Sequence, residues 1–279
     1  MRRIGSHVSS AGSICQALDR VGKVGGNCLQ FFAGSPRMWA RKLYAPDECK
    51  KFILQAQQRD LSPVFIHALY LVNLASDNPL ILRNSHHSLL LDLKNGDQIN
   101  SAGVVIHLGS HQGRGFEAVS PQLLEEIFSL LSQSSSTPFI IENSAGQKGK
   151  IGSLEEISFL VNTLKSDRVK ICLDSAHLFS AGFDLRQNLV INQLISKLNS
   201  LGLLDSLAIL HLNDSQTPLG SSRDIHANLG QGQIGLAGLG NFLNHPALSH
   251  LPVILEVPGS DKKGTDKENM TTALSLLGV

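Results

Sequence analysis

A chain of 279 residues with 42% hydrophobic and 17% charged side chains is able to bury a sizeable core, which excludes both a disordered tail and a coiled coil. Lys and Arg number 24 against 23 Asp and Glu, a net charge of +1, so a uniform basic coat for nucleic acid is excluded and any attraction to phosphate has to be local.

In chain order, short β-branched or aromatic runs predict strands over residues 2–8, 28–32, 64–67, 104–108, 139–142, 169–173, 207–212 and 253–257. Between and after them, helical apolar spacing predicts helices over 14–21, 47–58, 80–93, 121–131, 154–164, 189–203, 236–242 and 267–277. Eight β-then-α units argue for an α/β chain whose parallel strands close into a single (β/α)8 TIM barrel over 1–279, in preference to an open doubly wound sheet. No GxGxxG follows the first strand and no GxxxxGK[ST] occurs, which removes the main support for glycine-loop nucleotide folds. Cys15, Cys28, Cys49 and Cys172 form no CxxC pair, so a reducing compartment, the cytoplasm, is expected. The start MRRIGSHVSSAG has no apolar stretch after its arginines, and no run approaches the ~20 apolar residues of a membrane span. Neither export nor membrane insertion is expected.

Barrel chemistry comes from the C-terminal ends of strands. There the chain places His7, His67 (FIHALYL), His107 (VVIHLGSH), Glu142 (FIIENSAG), Asp174 (ICLDSAH), His211 (ILHLND) and Glu256 (VILEVPG). Any one of them alone most often caps a helix or satisfies a loop amide. Acids and imidazoles crowded on one rim, however, repel or stay unpaired without a cation. Asp174 and His177, three apart, share a side if the chain turns helical after the strand. Asp224 and His226, two apart, project together in an extended stretch. That pair lies in segment 213–235, which has weak strand or helix signal and is long enough to suggest a functional loop. Imidazole with carboxylate and no thiolate suits Zn²⁺, Mn²⁺ or Fe²⁺ better than Ca²⁺ or Mg²⁺. His67, His107, Glu142, Asp174, His177, His211, Asp224, His226 and Glu256 together exceed the needs of one tetrahedral ion, so several ions are expected. The resulting pocket would be locally cationic and would favour an anionic phosphate substrate.

The ordered segments GSHVSSAGS, IHALYLVNLAS, VIHLGSHQG, IIENSAGQ, CLDSAHLFSAGFDL, LHLNDS, DIHANLGQGQIG and VILEVPG, from Ile4 to about Pro258, resemble the motifs of the endonuclease IV (deoxyribonuclease IV) family of apurinic/apyrimidinic endonucleases. The resemblance implies a hydrolase of base excision repair: a (β/α)8 barrel with three Zn²⁺, Mn²⁺ or Fe²⁺ being admissible at some positions. It would cut double-stranded DNA 5′ to an abasic sugar, leaving a 3′-hydroxyl and a 5′-deoxyribose phosphate. Carried over residue by residue, it assigns His67 and His107 to the first ion. Glu142 bridges to a second ion, which also takes Asp174, His211 and Glu256; His177, Asp224 and His226 hold the third. The implied nucleophile is a hydroxide shared by the bridged pair, with Glu142 catalytic as the bridging ligand. No Ser, Cys or Lys arrangement announces covalent catalysis.

By the same resemblance Arg37, in AGSPRMW, and Tyr70 with Leu71 correspond to side chains inserted from the minor groove into the gap left by the turned-out abasic nucleotide. Without it, a Tyr-Leu after a barrel strand is more often packed under a loop. Lys148, Lys150, Arg41 and Lys42 are candidates for phosphate contact. The expected partner is abasic DNA, bound by a monomer, with no membrane. One departure is Ile225, where the family usually has a basic residue. His7 and His111 sit in motif segments, behind the ligands or facing phosphate; His86, His87, His245 and His250 read as ordinary helix or surface residues. Two alternatives stand. Sugar isomerases and epimerases on related barrels use a Glu, Asp, His, Glu set that Glu142, Asp174, His211 and Glu256 would satisfy, leaving His67, His107, His177, Asp224 and His226 unneeded. A noncatalytic abasic-DNA-binding protein could keep the same fold.

Overall fold

The computed structural model describes residues 2–277. Strand β1 (Ile4–His7) pairs in parallel with β2 (Cys28–Phe32) on one side and with β10 (Val253–Leu255) on the other, which closes the sheet. The remaining staves are β3 (Val64–His67), β4 (Gly103–Ile106), β5 (Phe139–Glu142), β6 (Val169–Asp174) and β7 (Leu207–His211), in the order β1-β10-β7-β6-β5-β4-β3-β2. Between them run α1 (Ile14–Val24), α2 (Pro46–Gln58), α3 (Pro79–Ile99), α4 (Phe116–Ser132), α5 (Leu154–Leu164), α6 (Ser175–Ser180), α7 (Asn188–Ser200), α8 (Gly235–Leu243) and α9 (Lys267–Leu276). The expected closed barrel is therefore present. Among the described residues no helix is long and apolar enough to cross a membrane.

Local chemistry explains the helix ends. Ser13 accepts from the Cys15 amide at the start of α1, and Gly25, at φ 89°, closes it in the left-handed conformation that glycine adopts without strain. Ser153 and Glu156 form a reciprocal capping box on α5. Helix α1 runs three residues past its expected end, and two helices, α3 and α4, exceed the sequence expectation by more than a turn. Helix α4 begins at Phe116, ahead of Pro121; the Ser120 hydroxyl donates to the Glu117 carbonyl that the missing proline N–H leaves free. Helix α3 continues to Ile99 because Asp92 and Asn95, polar in a helical pattern, face inward.

The barrel interior is plugged by Cys28, Phe65, Val105, Ile140, Cys172, Ile209 and Ile254, while a larger core lies between the sheet and its helices. Each plug side chain contributes about 1.5–3 kcal/mol of burial when large. At the inward position of β1 only glycine fits, since a Cβ on Gly5 would stand 1.6 Å from the Cys28 carbonyl oxygen. Side chains two apart on a strand share a face. Two residues beyond the plug, on the same inward face, come Gln30, His67, His107, Glu142, Asp174, His211 and Glu256. The period that fills the barrel thus also builds its mouth.

Candidate metal centre

Glu142, at the end of β5 and 1% exposed, stands at the middle of the mouth. Its Oε2 lies 3.4 Å from His67 Nε2 and 3.3 Å from His107 Nε2; its Oε1 lies 3.1 Å from His211 Nδ1 and 3.3 Å from His177 Nδ1. His211 Nδ1 is also 3.2 Å from Glu256 Oε2 and 4.0 Å from Asp174 Oδ2. Asp224 Oδ1 stands 3.1 Å from His177 Nε2 and 3.3 Å from His226 Nε2, and His226 Nε2 is 3.7 Å from Asp174 Oδ2. All nine rim candidates are therefore brought into one connected cluster.

The chain folds locally to achieve this. Asp174 ends β6 and caps α6, its Oδ1 accepting from the His177 amide at 2.8 Å, so one turn of helix carries His177 back over the strand end. Segment 213–235 contains a two-stranded antiparallel ribbon, β8 (Asp214–Ser215) with β9 (His226–Ala227), and the extended backbone aims Asp224 and His226 to the same side.

Hydrogen bonds behind the cluster select which nitrogen faces it. A carbonyl only accepts, so the 2.7 Å contact of His67 Nδ1 with the Ala68 oxygen requires the proton on Nδ1 and leaves a lone pair on Nε2. His177 Nδ1 donates likewise to the Asn143 oxygen at 2.9 Å. Gln30 Nε2 donates to Glu256 Oε1 at 2.7 Å, which orients the amide so that Gln30 Oε1 accepts from His211 Nε2 at 3.0 Å and frees His211 Nδ1. Asn213 Nδ2 donates to Asp174 Oδ2 at 2.6 Å. His177 Nε2 and His226 Nε2 are buried and, although Asp224 Oδ1 lies 3.1 and 3.3 Å away, neither makes a well-directed hydrogen bond. Buried nitrogens of that kind, with acids facing them, fit a divalent cation.

Charge balance points the same way. Burial alone would raise Glu142, but the His107 and His211 rings, with hydrogen bonds from His177 and His211, hold its carboxyl well below the usual range. Burial also opposes the charged imidazole of His177, yet Asp174, Asp224 and Glu142 lift it well above the ordinary value. His226 is raised to about 9 against burial, chiefly by Asp174. The acids draw protons onto His177 and His226, and a bound cation would displace them. Cys172 also approaches Glu142 and His211, but burial pushes its thiol up to about 12, so it is neutral and serves as barrel plug.

Donor atoms within 4.8 Å of one another form the sets His67, His107, Glu142; Glu142, Asp174, His211, Glu256; and Asp174, His177, His226. The first two coincide with the first and second expected sets. In the third, Asp174 stands in for Asp224, although Asp224 approaches both of its histidines.

The family model of the xylose isomerase-like TIM barrels matches residues 18–277. A probable endonuclease 4 of Halothermothrix orenii is 36% identical over 269 residues, 95% of this chain and 97% of its own. Another, of Sulfurihydrogenibium sp., is 34% identical over 282 residues, 99% and 100% of the two chains. The crystal structure of endonuclease IV from Thermus thermophilus matches with a TM-score of 0.86 at 32% identity over 99% of each chain. The chain belongs to the endonuclease IV family. It is thus a hydrolytic enzyme of the endonuclease type. A 3-keto-D-glucoside 4-epimerase from E. coli, with a TM-score of 0.70 at 12% identity, shares the barrel fold.

The loops around the mouth of this endonuclease IV member place the remaining candidates. Tyr70 is 65% and Leu71 42% exposed on the loop after β3, with Tyr70 edge-on to Phe32, so they are not packed beneath it. Arg37 is exposed on the loop after β2. Arg41 corrects the expectation of a phosphate contact: its side chain is fully buried, with Nε 3.4 Å from Asp92 Oδ1. Lys42, Lys148 and Lys150 are exposed. Ile225 is exposed between Asp224 and His226. His7 stands behind the cluster, its Nδ1 3.2 Å from Glu256 Oε1, while His111 ties its own loop, Nδ1 accepting from the Gly115 amide. His86 pairs with Glu126 and His245 with Asn192, away from the mouth. Sequence reasoning missed Gln30, Asn143, Asn213 and Asp214. Gln30 alone left a signal, a polar side chain at an inward position of an apolar strand.

Proposed function

We propose that this chain is a divalent-metal-dependent apurinic/apyrimidinic endonuclease, hydrolysing the phosphodiester 5′ to abasic sites in double-stranded DNA to leave a 3′-hydroxyl and a 5′-deoxyribose phosphate. The observation that carries the reading is the surplus: nine acids and imidazoles converge, where a sugar isomerase or epimerase would use four. Three zinc ions are assigned, one to His67, His107 and Glu142, one to Glu142, Asp174, His211 and Glu256, and one to His177, Asp224 and His226. Bound there, such ions supply Lewis acidity that makes water nucleophilic toward phosphorus and neutralises charge on the phosphate oxygens.

The protein's own part is to fix this apparatus. Glu142 presents both carboxylate oxygens to separate pairs of histidines and so couples the first set to the second. Ala68, Asn143 and Gln30 set the imidazole tautomers before substrate arrives. Arg37, Tyr70 and Leu71 fill the space of the turned-out nucleotide from the minor groove, Tyr70 and Leu71 standing proud of the mouth. The enzyme works as a monomer on DNA in the cytoplasm, a reducing setting in keeping with four free cysteines.

The test combines metal analysis with an abasic-site duplex, with and without chelator. Near three ions per chain and chelator-sensitive incision 5′ to the lesion are expected. One or two ions with turnover of a ketose or aldose would replace the reading by the isomerase one. Tight lesion binding without incision by zinc-loaded protein would make it a binding protein.

A further inference from the structure

The inward face of α3 carries Ser85, Ser88, Asp92 and Asn95, spaced 3, 4 and 3 apart and all 0% exposed. That spacing keeps one helix face against the barrel, where apolar side chains are the usual occupants. Three of these polar residues hold loops at the mouth. Asn95 Oδ1 accepts from the Tyr44 amide at 2.9 Å, and its Nδ2 donates to the Lys42 carbonyl at 3.1 Å. Asp92 faces Arg41 across 3.4 Å, with both side chains out of water. From inside its own loop Arg41 Nη1 donates to the Ser35 carbonyl at 2.8 Å, and Gly34 passes so close that a Cβ would lie 2.8 Å from that nitrogen. The Tyr44 hydroxyl donates to the Ala33 carbonyl, closing loop 33–44 on itself. About two turns from Asp92 toward the helix N-terminus, Ser85 Oγ accepts from the Asn73 amide at 2.9 Å, on the loop that carries Tyr70 and Leu71.

A buried ion pair is a poor source of stability, because desolvation offsets its attraction and an apolar pair fills the same space as well. What it supplies is direction: the guanidinium has to sit where the carboxylate is. We propose that the polar stripe of α3 is a positioning device, in which Asp92 acting through Arg41, with Asn95 and Ser85, sets the relative placement of the Arg37 loop and the Tyr70–Leu71 loop and thereby determines discrimination between abasic and intact duplex. Asp92 belongs to none of the candidate ligand sets, and the hydrogen bonds of Ser85 and Asn95 go to backbone groups outside the cluster. The proposal rests on the reading of Arg37, Tyr70 and Leu71 as DNA wedges.

The experiment uses full-length, zinc-loaded protein at pH 8 in three forms: wild type, Asp92→Asn, and the paired apolar replacement Arg41→Met with Asp92→Leu, which retains packing if the single variant folds poorly. Binding of abasic and intact duplexes by fluorescence anisotropy gives the selectivity ratio. Trypsin cleavage after Arg37 and Lys42 reports loop closure, and metal analysis reports the cluster. In both variants the selectivity ratio should fall about tenfold, since a shift of about an ångström at a wedge is enough for that. Loop cleavage should quicken and metal content stay that of wild type. Selectivity within about twofold of wild type in both variants, or metal loss in step with it, overturns the proposal. A wild-type protein that binds both duplexes equally overturns the wedge reading itself, an outcome distinct from a discriminating wild type with equally discriminating variants.

Discussion

Asp214→Asn should loosen the 213–235 loop and with it the part of the mouth formed by Asp224 and His226. The Asp214 carboxylate is 0% exposed and is met only by backbone amides: Oδ1 accepts from Ser215 at 2.8 Å and Ile234 at 2.9 Å, and Oδ2 from Gly230 and Gly232 at 3.0 Å. The Gly235 amide adds a longer contact at 3.3 Å. Gly232 approaches so closely that a Cβ would stand 2.5 Å from Oδ1. An asparagine keeps one accepting oxygen and turns the other into a donor, so at least two of these N–H groups, the half-enclosed pair of Gly230 and Gly232 or the buried pair of Ser215 and Ile234, face an N–H instead of an acceptor. Each such orphan costs about 1–3 kcal/mol, so the variant should lose about 2–6 kcal/mol, a large share of a usual ~5–15 kcal/mol. Urea unfolding of both proteins in chelator measures that difference, and metal analysis of the loaded proteins should show a loss near one ion per chain. A loss below about 1 kcal/mol with full metal content would show that the loop is held by something other than this carboxylate.

Glu142→Gln should lower incision of an abasic duplex by about a thousandfold and reduce metal content, whereas His245→Ala, which loses a surface contact with Asn192 and a local hydrogen bond from the Ala247 amide, both away from the mouth, should change neither; equal losses would contradict the site map. Tyr70→Ala, at a residue 65% exposed, should leave stability within about 0.5 kcal/mol and metal content intact but lower selectivity for abasic over intact duplex. A lowered melting point with unchanged selectivity would make Tyr70 a packing residue. Burial pushes the Asp92 carboxyl up to about 7 against the pull of Arg41 beside it and His67 further off. Its folded value lies above the unfolded ~3.9, so its contribution is fully present below about pH 4 and is lost as pH rises through 7, by at most about 4 kcal/mol. Stability of Asp92→Asn should therefore fall less steeply than wild type between pH 4 and 7, and parallel curves would refute the assignment.

The rim was legible because two periodicities coincide. A parallel barrel sends every strand's C-terminal end to one mouth, and a period of two separates the plug at Cys28, Phe65 and Ile140 from Gln30, His67 and Glu142. Recognising the strands therefore also located the histidines and acids that end them. Asp174 with His177, and Asp224 with His226, were readable because each pair is bound by the geometry of a single turn or a short extended run.

What stayed hidden were groups whose meaning depends on a partner far along the chain. Arg41 beside Lys42 looks like solvated charge until Asp92, on another helix, is brought to it. The helical period in α3 lapses after Leu93 because Asn95 and Gly96 do not count as apolar in any local window, although both are buried, as is Asp92 within the expected span. Asp214 reads as a turn residue because its acceptors' partners are amides, which every residue but proline carries. A side chain's charge is a property of the sequence, whereas its dielectric surroundings are a property of the fold. Residues that work by burying charge, as Asp92, Arg41 and Asp214 do, therefore escape a periodic reading even where the strands and helices that bury them are themselves legible.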